Sequence, residues 1–164
     1  MDEAKARREA ETTEELRLLV LGEERSRVPV GEQLTAPRYA DVLASWTRAT
    51  NSKRTTGDER VEAIRDAVGA VEQLARVVTN SPTVTLGKAV DILRREGRVD
   101  APLLKGIDEL WAWTSDAAGL RHGASASAQP SSAEAEYALK LAEASLIILL
   151  ALDVADPRNS DAQR

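Results

Sequence analysis

Between residues 58 and 80 the apolar side chains Val61, Ile64, Val68, Val71, Leu74 and Val78 recur at steps of three or four. That spacing lays them on one stripe of an α-helix about six turns long. A strand would need strict alternation, and no alternating stretch of useful length competes with it anywhere along the chain. Val28-Pro29-Val30 is at most a short extended piece, because proline gives a ladder no donor. The chain is therefore expected to be all-α.

The other elements follow from period and punctuation. Ser81-Pro82 is read as the stop of the long helix, since proline disfavours helical geometry in the residue before it. A second helix is expected over 83–96 with Leu86, Val90 and Leu93 inward and Gly97 as its C-terminal stop. Asp100 caps a third, with Pro102 in its first turn and Leu103, Ile107, Leu110 and Trp111 toward the core; Trp113 falls off that stripe and is free to face a partner. Ser131 or Ser132 starts a last helix over 133–154, whose run at 146–150 is apolar all round, the pattern of a central bundle helix. Nearer the start, Leu16, Leu19 and Val20 suggest one short helix, and Tyr39, Val42, Leu43 and Trp46 another, opened by Thr35 and Pro37. Residues 25–33 read as a connection and 51–57 as a polar linker. The division that results is an N-terminal helical arm at 1–50, a helical bundle at 51–155 and a polar, disordered tail at 156–164.

Composition removes several kinds of chemistry. With no cysteine and one histidine among 164 residues, disulfides, thiolate metal sites and multi-histidine zinc sites are excluded, and neither metal nor cofactor is expected. A formal net charge of −5 argues against the broad basic surface that grips duplex DNA. Aromatic residues make up only 3% of the chain, too few for a platform on which single-stranded bases stack. The most apolar run, 144–152, is about half the roughly 20 residues a membrane span requires. The start of the chain lacks the apolar core of a signal peptide. A cytoplasmic protein without membrane contact is expected.

The sole histidine, His122, stands beside Arg121 in Thr-Ser-Asp-Ala-Ala-Gly-Leu-Arg-His-Gly at 114–123, between two helical stretches. It is the one side chain whose unperturbed pKa suits acid–base chemistry near neutrality; the alternative is a packing or capping histidine. Asp116 either orients His122, pairs with Arg121 or caps the turn before Gly119. Glu72, flanked by Val71 and Leu74, is either a surface carboxylate or a buried partner for Arg121. Arg94, Arg95 and Arg98 read either as cations favoured at a helix C-terminus or as a patch that contacts phosphate.

Together with Glu-Ala-Ile-Arg-Asp-Ala-Val-Gly-Ala-Val-Glu at 62–72 and Thr-Leu-Gly-Lys-Ala-Val at 85–90, the Ser-Asp-x-x-Gly-Leu-Arg-His block resembles the C-terminal domain of prokaryotic abortive-infection proteins, within the HEPN superfamily. The resemblance spans 51–154. It implies an antiparallel helical bundle, commonly a homodimer, in phage-defence or toxin–antitoxin systems, with RNA as a partner and an antitoxin or defence-system protein as another. Active members are metal-independent ribonucleases whose arginine and histidine are separated by a short spacer; here Arg121 is followed at once by His122, and Ala126, Ser127 and Ala128 stand where the spaced histidine would fall. Such cleavage needs proton transfer from the 2′-hydroxyl, proton return to the leaving oxygen, and positive charge on the phosphate. Arg121 and His122 are the residues to which the resemblance assigns that site, with Asp116 and Glu72 in support. One imidazole serves two proton transfers only if a second copy supplies another. A non-catalytic helical dimerisation or interaction module is the alternative reading.

Overall fold

The computed structural model describes residues 28–116 and 129–156, and among these there are helices and no strand. The helix expected around Leu16, Leu19 and Val20, the Arg121-His122 pair, and the tail beyond residue 156 lie outside the described residues. Among the described residues six α-helices follow one another: α1 (Val30–Gln33), α2 (Ala40–Asn51) entered through a 3-10 turn at Pro37–Tyr39, α3 (Gly57–Val78), α4 (Leu86–Arg95), α5 (Ala101–Asp116) and α6 (Ser132–Ala155). Residues 30–33, expected as connection, form the short α1, and Val30 is buried there.

Each long helix begins where its cap chemistry says it should. Thr56 accepts a hydrogen bond from the Glu59 backbone while the Glu59 carboxylate reaches back, closing a capping box on α3. Ser131 and Glu134 do the same for α6. These reciprocal bonds satisfy amides that have no partner inside the helix. The stops are equally local. Asn80 adopts φ 49° and Gly97 φ 62°. At α3 the Ser81 amide donates to the Arg76 carbonyl and Asn80 to Val77; at α4 Arg98 donates to Leu93 and Gly97 to Arg94. Both are Schellman endings. The long helix thus stops at Asn80, and Pro82 only prevents its resumption.

The core is centred on α3, which packs most extensively against α2 on one side and α6 on the other, and also meets α4 and α5. Its alanines explain the position. Ala63, Ala67, Ala70 and Ala75 are buried along with the larger stripe residues, so the buried face covers about half the helix circumference and admits two neighbours. The expectation that the last helix would be central is corrected accordingly: α6 buries one face and leaves Ala144, Ala151 and Val154 exposed. A second correction concerns α5. Leu104 is fully buried while Leu103 is 52% exposed, because the inward stripe through Ile107 and Leu110 continues back by a step of three and not of four.

Cross-links between helices set their directions. Arg48 of α2 bonds Asp66 and Ser45 bonds Gln73, so α2 and α3 are antiparallel. Gln129 and Pro130, just before α6, bond Asp58 and Arg60 at the start of α3, and Arg98 ties the ends of both helices together. The two longest described helices therefore run parallel, while α5 returns antiparallel to α6: Arg98, just before α5, reaches the Leu152 carbonyl near the end of α6, and farther along α5 a Cβ placed on Gly106 would touch Leu141. The core runs without a break from Val30 through α2 into the later helices.

Candidate functional site

Of the residues that sequence reasoning assigned to a site, Arg121 and His122 lie outside the described residues and Asp116 is the last residue of α5. Glu72 sits half-buried on α3, where its cation is Arg76, one turn on. Arg76 in turn donates from Nε to the Val84 carbonyl at 2.8 Å. The pair fastens α3 to the connection that leads into α4.

The connection 117–128 joins the described structure where α3 and α6 begin. The Gln129 amide donates to Asp58 Oδ1 at 2.6 Å and Arg60 Nε to the Pro130 carbonyl at 2.7 Å. Two helix N-termini lie at this end, and a helix N-terminus ordinarily attracts an anion. Both are already occupied by carboxylates of their own capping boxes. Hydrogen bonds from the Thr55 hydroxyl, then from the Thr56 and Thr55 amides, draw Glu59 from 4.5 down to about 2. The Ser131 hydroxyl and amide hold Glu134 below its ordinary value as well. A phosphate approaching here would meet fixed negative charge.

The arginines at the end of α4 are largely committed to the fold. Arg94 pairs with Asp91 at 2.6 Å and with Asp108 of α5. Arg98 donates to the Val78 carbonyl at 3.0 Å and the Leu152 carbonyl at 3.3 Å, and pairs with the buried Asp156 at 3.2 Å. It therefore staples the C-terminal ends of α3 and α6. A shallow cavity of about 390 Å³ beside α4 is lined by Val84, Lys88, Asp91, Ile92, Arg94 and Arg95. Its cations share the wall with a carboxylate.

Sequence reasoning missed the most enclosed polar cluster. Asp153 is 1% exposed within the apolar run of α6. The Tyr39 hydroxyl donates to it, and Arg38 Nη2 lies 2.8 Å from the same carboxylate oxygen and 2.8 Å from the hydroxyl. The Arg38 guanidinium also stands 4.8 Å from the Tyr39 ring centroid. Burial first, and then the bond to Asp153, pushes the Tyr39 phenol up to about 12, so it stays a neutral donor at physiological pH. The signal was present in the sequence as one aspartate in an otherwise uncharged stretch, since a buried carboxylate must have a partner. With Tyr39 and Asp153 both buried, the cluster fixes α2 to α6.

What remains open is the outer side of α6. Tyr137 is 70% and Val154 41% exposed. From Ala144 onward the outward positions Ala144, Ile147, Ile148, Ala151 and Val154 carry no charge and are exposed or half-exposed. Among the described residues no group of three or more carboxylates or histidines could hold a metal ion. No described helix is long and apolar enough to cross a membrane. Compared with protein families, with characterised proteins and with solved structures, the chain matches none.

Proposed function

We propose that this chain is a non-catalytic helical interaction module that docks through the outer face of α6. The observation that supports this reading is the uncharged, solvent-facing side of the second half of α6, where Ala144, Ile147, Ile148, Ala151 and Val154 stand exposed or half-exposed. Exposed apolar patches beyond a few hundred Å² are uncommon on monomers and mark surfaces that another protein covers. Among the described residues, Asp153 and Arg98 join helices, Glu72 pairs with Arg76 on its own helix, and Glu59 and Glu134 close helix starts.

The rival reading is a HEPN-like, metal-independent ribonuclease of a phage-defence or toxin–antitoxin system, with Arg121 and His122 acting on RNA. The two differ in one assay. Mixed RNA incubated with the parent protein in chelator is expected to stay intact. Cleavage that disappears in a folded His122→Ala protein, and falls with weakened RNA binding in Arg121→Ala, would replace the docking reading with the ribonuclease one.

A further inference from the structure

We propose that the cleft beside α4 docks an acidic, amphipathic helix of a partner protein, with one carboxylate on Lys88, a second on Arg95 and an apolar side chain between them on Ile92. This goes beyond the docking reading, since the surface lies on a different element and stands whether or not α6 has a partner.

The cleft follows from how α4 divides its faces. Leu86, Ala89, Val90 and Leu93 are buried, so the stripe through Val84, Lys88, Asp91, Ile92 and Arg95 points away from the core, and these residues line the hollow of about 390 Å³. Val84 packs against the core from its half-buried position, whereas Ile92, also half-buried, is not among the side chains that do. A partner's apolar side chain seated on Ile92 removes apolar surface from water on both sides.

Charge selects the partner. Arg94 is taken up by Asp91 at 2.6 Å and by Asp108 of α5, and that pairing neutralises the carboxylate in the wall of the cleft. Two cations are left over. Arg95 donates from Nε to the Asp91 carbonyl at 3.3 Å, which leaves both Nη atoms without a partner among the described residues, and the Lys88 ammonium has none either. Both side chains are exposed. Their positions in the sequence place them two turns apart, about 10 Å along the helix, with Ile92 between. A single phosphate is too small to take both cations at that separation. Two carboxylates two turns apart on a helix laid along α4 meet one cation each, and the residues between them fall over Ile92.

The test uses the full chain and an alanine-based peptide of about 15 residues, long enough to sample helix, with two glutamates two turns apart and a leucine between them. Followed by amide NMR, this peptide is expected to shift residues 84–95 selectively, and to bind at least about tenfold more tightly than the same peptide carrying lysines for glutamates. In a protein with Lys88→Glu and Arg95→Glu together the preference is expected to invert. A preference that does not invert overturns Lys88 and Arg95 as the anchors. Equal binding after the leucine is replaced by serine overturns the apolar seat on Ile92. No response to the glutamate peptide overturns the site, and shifts of the same amides by inorganic phosphate or an RNA oligonucleotide in that case assign the cleft to phosphate. If the charge-reversed protein fails to fold, the glutamate and lysine peptides compared on the parent still decide.

Discussion

Asp153 shows how one buried side chain organises its surroundings. Its carboxylate takes the Tyr39 hydroxyl and the Arg38 guanidinium on a single oxygen, so that removing it leaves a cation and a phenol facing apolar helix. Breaking a buried ion pair from one side costs more than the pair contributes, because the surviving charge stays desolvated. Arg38 keeps 27% of its side chain exposed, which places the loss near the lower end of the usual range. Asp153→Ala is expected to destabilise the fold by about 3 kcal/mol, read as a lower urea midpoint at fixed protein concentration. Tyr39→Phe is expected to cost less, since it removes a donor without stranding a charge. If Asp153→Ala matches the parent, the cluster is not a fastening. Sequence periodicity could not place these partners, because Tyr39 and Asp153 are 114 residues apart and only the packing of α2 on α6 brings them together.

At the scale of the element, helix ends were the most legible feature of the chain. Ser131 before the last helix and Gly97 after the arginines of α4 were read as helix ends, and Thr56 with Glu59 three residues on carries the same local signal, although it falls in the stretch read as a linker. The ending of α3 was less legible, since Asn80 in the left-handed region does what was credited to Pro82. The capping boxes carry a pH dependence. Glu59 has a folded value of about 2 against an ordinary 4.5, so the unfolded chain binds its proton first as pH falls. The stabilisation is fully present above pH 4.5 and is lost progressively as pH drops toward about 2. Glu59→Gln is therefore expected to lower Tm near neutrality and to flatten the acid limb of a Tm-against-pH curve; an unchanged acid limb would remove Glu59 from the linkage. Because the capping box lies at the surface, added salt should narrow the difference between the two proteins.

Across the whole molecule, what the sequence showed was the helical class and the large side chains of the core; what it did not show was which helix the others surround. The stripe of valines, isoleucine and leucine on α3 marked one buried face, but Ala63, Ala67 and Ala70 widened it without adding to the apolar pattern that was counted. The uniform hydrophobicity of α6 pointed to enclosure, whereas within one chain it produces a face left open. Ring-closing contacts at the far end are carried by Arg98, which reaches α3, α6 and Asp156 at once. That position separates it from Arg94, whose ion pairs are exposed. Surface pairs contribute between about 0 and 1 kcal/mol, so Arg94→Met should shift the urea midpoint little. Arg98→Met removes the hydrogen bonds to two helix-end carbonyls and the ion pair with the buried Asp156 together, each worth on the order of 1 kcal/mol, and should lose about 3 kcal/mol. The measurement belongs at one protein concentration, because any association between copies would add concentration-dependent stability. Equal losses from Arg94→Met and Arg98→Met would show that the helices are held at this end by charge density alone, and not by one guanidinium bridging three elements.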